Sequence, residues 1–228
     1  MNDFHFNKNF KIFTTLFVLL TLILSFVTYQ KYQSLEFYFR LICIPSLMVL
    51  YFVTSEQKNK LYLFSLACAT VSNVFFLSNE SMFLKYGLIA FLIYRIITLI
   101  IVIKKSQKLT LFSVAIGSIF FLFPLLYFIV LIEDSVGQSF FVGLINIVLV
   151  SFLGGMALTN YLLENNFKHI SLLTSTLLYT FLVLIFVIQK FYVFIQVLDP
   201  MGIIVLMAAH YFFCVYLLLA EKQKDSNQ

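Results

Sequence analysis

The chain has 228 residues, 62% hydrophobic and only 11% charged, with a net charge of +5 and a mean hydropathy of +1.00. A water-facing surface takes about 25% charged residues, so the composition excludes soluble enzymes, nucleic-acid readers and disordered tails. No polar stretch reaches the roughly 50 residues of a separate soluble domain, and residues 1–228 read as one integral membrane domain.

A spanning helix takes roughly 20 apolar residues. Eight apolar segments fit that length: 12–29, 37–54, 61–78, 83–103, 109–132, 139–163, 170–188 and 200–220. The breaks between them are short, which predicts antiparallel neighbours in an all-α, polytopic transmembrane bundle. The first segment has an apolar core too long for a signal peptide and no small-residue cleavage site after it, so it reads as a retained span. The second contains Arg40 and Pro45, the latter expected in a first turn. In the third, Ser65, Ala69 and Asn73 recur every fourth residue, with Ser72 beside Asn73. The fourth contains Arg95. The fifth carries Ser113, Gly117 and a kinking Pro124, and the sixth carries Ser151, Gly155 and Thr159 with Asn146 and Asn160. Helices in lipid associate through such small-residue faces, leaving Phe and Ile for the lipid side. The seventh segment has an alternative end at Leu198, and the eighth opens at Pro200 and holds His210.

Positive charge sets orientation, because Lys and Arg are retained on the cytoplasmic side. With eight spans and an inner N-terminus, ten fall inside: Lys8, Lys11, Lys58, Lys60, Lys104, Lys105, Lys108, Lys168, Lys222 and Lys224. Four fall outside: Lys31, Arg40, Lys85 and Lys190. Both termini are therefore expected in the cytoplasm. Tyr29, Tyr32 and Tyr38 cluster near one expected interface, where amphipathic rings are favoured. Cys43, Cys68 and Cys214 lie inside apolar runs without ligand spacing and read as packing residues. No metal or cofactor is called for.

Polar groups inside a bilayer are the usual mark of function. Arg95 costs about 2.5–3.5 kcal/mol at a helix centre. It either snorkels toward the headgroups near Lys104, about 13 Å away along the helix, or lines a polar cavity and holds a lipid phosphate bidentately. His210 is either a hydrogen-bonded packing residue or a proton carrier, and Asn73 an interhelical hydrogen-bonding group. No Asp or Glu falls deep within a span: Glu133, Asp134, Glu164, Asp199 and Glu221 lie at segment ends. Acid–base hydrolysis and proton-coupled transport both usually need such a group. GxSxG, HExxH, Walker and CxxC motifs are absent.

Several short motifs give a resemblance. Arg40 and Pro45 occupy a basic-then-proline pattern in the second span. Ser72-Asn73 falls where a Ser-Gly-Asp pattern is common, and Gly87, Phe91 and Arg95 follow at four-residue spacing, with Arg95 in place of a His. Met156 in Gly154-Gly155-Met156-Ala157, the run Tyr179-Thr180-Phe181-Leu182-Val183 ending in Gln189-Lys190-Phe191, and His210-Tyr211-Phe212 complete the pattern. The chain thus resembles the lysoplasmalogenase-like (YhhN-type) membrane family, associated with cleaving the vinyl ether bond of lysoplasmalogen to a fatty aldehyde and a glycerophospho-base. The two family aspartates fall on Asn73 and Val183, neither of which can cycle a proton near neutral pH. The resemblance therefore implies the eight-helix scaffold without the family's acids. It leaves three readings. One is a non-catalytic relative binding a membrane lipid in a cavity lined by Asn73, Arg95 and His210. Another is a working hydrolase using His210 or a displaced acid, of which Asp199 is the nearest. The third is a small-solute transporter or channel. No nucleic-acid or protein partner is implied, and a bacterial inner membrane is the expected location.

Overall fold

The structure is a computed structural model that describes residues 8–78, 80–106, 109–133 and 137–225. These form eight α-helices: α1 Lys8–Tyr29, α2 Gln33–Thr54, α3 Lys60–Phe75, α4 Ser81–Lys105, α5 Leu111–Leu131, α6 Phe140–Leu163, α7 Phe167–Val187 and α8 Leu198–Asp225. Each expected segment is one helix. Seven are long and apolar enough to cross a membrane, and α3, with 16 residues, is the short one. The protein is a multi-pass helical membrane bundle. Asp134 and Lys108 lie outside the described residues.

The helix ends follow local chemistry. Asn59 starts α3 by accepting from the Leu61 and Tyr62 N–H groups, and Thr110 and Asn166 cap α5 and α7 in the same way. Such caps satisfy otherwise orphaned backbone donors. The seventh helix does not continue to Leu198: it ends in a π-turn, Ile188–Tyr192, followed by extended chain. Pro45 sits in the interior of α2 rather than in a first turn, because α2 begins already at Gln33. Pro200 does lie in the first turn of α8, and its carbonyl accepts from Ser25 Oγ of α1.

Two ends of the bundle can be told apart by their cross-links. At one end, Glu221 of α8 accepts from Tyr51 and Ser55 at the end of α2, Asn160 of α6 donates to Ser106 after α4, and Lys168 of α7 donates to Gln223. At the other, α1 meets the start of α8 through Ser25–Pro200 and Gln196–Tyr29. The start of α1 and the close of α8 therefore share the first end. Lys8, Lys11, Lys58, Lys60, Lys104, Lys105, Lys168, Lys222 and Lys224 belong to it, and it is called the basic end below.

The core is built where α8 passes among α1, α2 and α7. Leu47, Leu50, Leu172, Met207 and Leu217 are buried there. The small-residue faces pack as expected. Gly117 of α5 lies against the backbone of Gly155 of α6, and Thr159 Oγ1 donates to the Ser113 carbonyl between the same helices. Ser65, Ala69, Ser72 and Asn73 of α3 are all buried. On the lipid side, Leu111, Phe112, Phe120 and Phe123 of α5 are at least 70% exposed, the arrangement a solvent of acyl chains favours. Cys43 and Cys214 are buried, and all three cysteines are free thiols.

Candidate functional site

Midway through the bundle, one face of α4 carries Gly87, Phe91, Tyr94, Arg95 and Thr98. Three- and four-residue spacing stacks them along one side of a helix. Arg95 is 1% exposed, so it does not snorkel. Its aliphatic stem gives no route to the headgroups because aromatic rings hold the head: the guanidinium carbon lies 3.7 Å from the Tyr179 ring centre, 4.6 Å from Phe91 and 5.6 Å from Tyr94.

The same rings carry a hydrogen-bonded chain across three helices. Tyr94 of α4 and Tyr179 of α7 share a hydrogen bond between their hydroxyls at 2.6 Å, and Tyr179 Oη lies 2.8 Å from His210 Nδ1 of α8. The Tyr94 and His210 rings meet edge-on at 5.0 Å. Ser175 Oγ donates to the Ala209 carbonyl, fixing α7 to α8 one turn from this chain. Two directions are open to it. If Tyr94 donates to Tyr179 and Tyr179 to His210 Nδ1, the imidazole proton sits on Nε2, which then is a free donor. His210 is 1% exposed, and Nε2 has no partner among the described residues.

Arg95 is the energetic problem of the site. Moving an ion out of water costs several kcal/mol even after relaxation. A desolvated ring face returns about 2 kcal/mol, so three rings offset much of that cost. The rings, however, do not supply an oxygen or nitrogen acceptor to every N–H of the guanidinium. Its in-plane donors Nε and Nη2 are buried without a hydrogen-bond partner among the described residues. No ion pair to Arg95 occurs among them either.

Asn73 stands apart from this centre. Ser72 Oγ donates to the Gly87 carbonyl, which places Asn73 beside the start of α4. Eight residues of α4 separate that level from Arg95, about 12 Å. Asn73 Oδ1 and its backbone carbonyl accept from Arg40 Nη1 at 2.9 and 3.3 Å, while Arg40 Nε and Nη2 donate to Glu36 Oε1 at 3.1 and 2.8 Å. Arg40 thus ties α2 to α3 away from the basic end. Asp199 is half-buried there, within electrostatic range of Glu36, Arg40 and Lys31. Val183 packs in an apolar cluster with Leu125, Ile129 and Val187. The structure therefore brings Arg95 and His210 together, and leaves Asn73, Asp199 and Val183 elsewhere.

Sequence reasoning missed the aromatic members. Tyr94 adjoins Arg95 and Tyr179 precedes Thr180, but nothing in periodicity marks their hydroxyls as partners of His210. The Glu36–Arg40 pair carried a readable signal, opposite charges four residues apart on one helix. Asn146 and Asn160 donate across helices to the Leu88 carbonyl and to Ser106 Oγ, as interhelical hydrogen-bonding groups do.

An open apolar groove of about 610 Å³ runs between α5 and α7, lined by residues including Ile119, Phe123, Pro124, Leu177 and Phe181. Its one polar lining residue, Thr180, donates its hydroxyl to the Thr176 carbonyl of its own helix. No family model matches the chain, and no curated protein or solved structure does.

Proposed function

We propose that the chain is a bacterial inner-membrane protein of the lysoplasmalogenase-like type that holds a lipid without hydrolysing it. The observation that carries this reading is the chemistry of the mid-depth centre. Vinyl ether hydrolysis needs an acid to protonate the alkenyl carbon and a base to activate water. At mid-depth the described polar groups include a guanidinium, the phenols of Tyr94, Tyr179 and Tyr62, an imidazole and the Thr98 and Ser175 hydroxyls, with no carboxylate among them. The described carboxylates stand at helix ends and in loops: Glu36, Glu80, Glu133 and Asp199 at one end, Glu56, Glu164 and Glu221 at the other. At the family's acid positions, Asn73 offers an amide already held by Arg40, and Val183 offers no polar atom.

Lipid binding is supported by the α5–α7 groove. Its walls are apolar, its one hydroxyl is satisfied internally, and it opens toward the lipid-facing side of two spanning helices. An acyl chain is the occupant that such walls and such surroundings favour.

One observation supports a hydrolase instead. Tyr94, Tyr179 and His210 form an unbroken hydrogen-bonded chain ending in a free imidazole nitrogen, the layout of an oriented acid–base group. The two readings separate on one assay. Purified protein incubated with lysoplasmalogen releases no aldehyde above the protein-free rate, beside a family member that retains both aspartates as the positive control. Turnover abolished by His210→Ala would overturn the non-hydrolytic reading.

A further inference from the structure

We propose that Arg95 and His210 hold an oxyanion, a carboxylate or a phosphate group, in the interior of the bundle. The site rests on the lipid-binding reading only for the apolar part of its ligand. Three observations converge on it. Arg95 is buried among rings with Nε and Nη2 unpartnered. Those two nitrogens form one edge of the guanidinium, and their N–H groups point in parallel, the fork that matches two oxygens of a carboxylate or phosphate. His210 Nε2, also buried and unpartnered, belongs to a ring within electrostatic range of Arg95. The Tyr94–Tyr179–His210 chain, run toward Nδ1, puts the imidazole proton on Nε2 as a third donor.

The rings explain why the fork stays free. Phe91, Tyr94 and Tyr179 crowd the guanidinium, but none offers a hydrogen-bond acceptor to Nε or Nη2. A lysine at this position would keep the charge and lose the parallel donors. The depth selects the ligand's chemistry as well. Arg95 lies ten residues from Lys105, about 15 Å below the basic end. An anion at that depth arrives attached to apolar matter, as a fatty acid's carboxylate or the phosphate of a single-chain lipid.

Thermal unfolding in a neutral detergent tests this, read by a thiol-reactive dye that reports exposure of the buried Cys43 and Cys214. Oleate, lysophosphatidate, monoolein and inorganic phosphate are compared on wild type and Arg95→Lys. Oleate or lysophosphatidate should raise the wild-type Tm by about 3–6 °C at roughly ten times its Kd, and the larger shift names the group. Monoolein should not match it, and Arg95→Lys should lose the shift. If monoolein stabilises both proteins as well as the anions do, the oxyanion site falls and lipid binding stands. If inorganic phosphate alone reproduces the full wild-type shift and Arg95→Lys abolishes it, the oxyanion site stands and lipid binding falls. Should Arg95→Lys fail to fold, carboxyl-labelled oleate on wild type decides by NMR. A bound resonance that stays ionised where micellar oleate protonates supports the site, and a micellar resonance alone overturns it.

Discussion

Tyr179 is the residue on which the centre turns. Its one oxygen joins Tyr94 to His210, and its ring is the one nearest Arg95. Tyr179→Phe keeps the ring over the guanidinium but strands the Tyr94 hydroxyl and His210 Nδ1 together. Each buried group left unpaired costs about 1–3 kcal/mol. Tyr94→Phe strands nothing further, since Tyr179 keeps His210. Tyr179→Phe should therefore lower Tm clearly more than Tyr94→Phe in the thiol-dye assay, and equal losses would mean the hydroxyl chain contributes little. This centre was only half legible in the sequence. A buried Arg and a buried His stand out against apolar runs because lipid penalises them. Their tyrosine neighbours do not, because Tyr is common in spans for reasons of packing alone. Asn73 was misjoined to the centre for a related reason. Spacing along one helix says which face a residue shares, but not which residue of another helix lies opposite, and here that residue is Arg40 of α2.

At the scale of helices, hydropathy located all eight, since the bilayer makes an apolar run of fixed length its own signal. It placed the ends less well. The helix α1 starts at Lys8 and α8 runs to Asp225, several residues past their apolar runs, because polar residues at the headgroup level do not interrupt helical hydrogen bonding. The small-residue faces were legible as contact faces, and the structure supplies the partner: α5 and α6 approach through Gly117 and Gly155. That contact leaves no room for a methyl group. A Cβ at Gly155 would lie 2.5 Å from the Val114 carbonyl and 2.6 Å from the Ser118 backbone nitrogen, so neither neighbour can rotate away. Gly155→Ala must push α5 from α6, at a cost of about 1–3 kcal/mol. At Gly202 a Cβ meets Ile185 at an ordinary 3.5 Å. Gly202→Ala should leave stability unchanged or raise it, since alanine favours helix by about 1 kcal/mol over glycine. A pair of Tm values in which Gly202→Ala falls as far as Gly155→Ala would show that neither contact limits the helix approach.

The molecule as a whole is polar at its two ends and at one level between them. The basic end is closed by Glu221, whose two oxygens accept from Tyr51 and Ser55 at 2.6 and 2.7 Å, while the Asn59 N–H donates to Tyr51 Oη. The opposite end is tied by Arg40 to Glu36 and Asn73. Because eight helices alternate in direction, the start of α1 and the close of α8 must fall at the same end, and the cross-links to Glu221 and Pro200 place them so. The basic end carries nine described lysines against Lys31, Arg40, Lys85 and Lys190 beyond or near the other. Lysines near span ends resist translocation, so that asymmetry predicts a bundle with its basic end in the cytoplasm. Single cysteines test it, since the three native thiols lie within the helices. Both Lys11 and Tyr32 are exposed, one near the start of α1 and the other between α1 and α2. In intact cells a membrane-impermeant maleimide should label Tyr32→Cys and leave Lys11→Cys unmodified until the membrane is opened. The reverse pattern would invert the orientation. Equal labelling of both in intact cells would mean that α1 does not cross the membrane, and the parity that places both termini on one side would be lost with it.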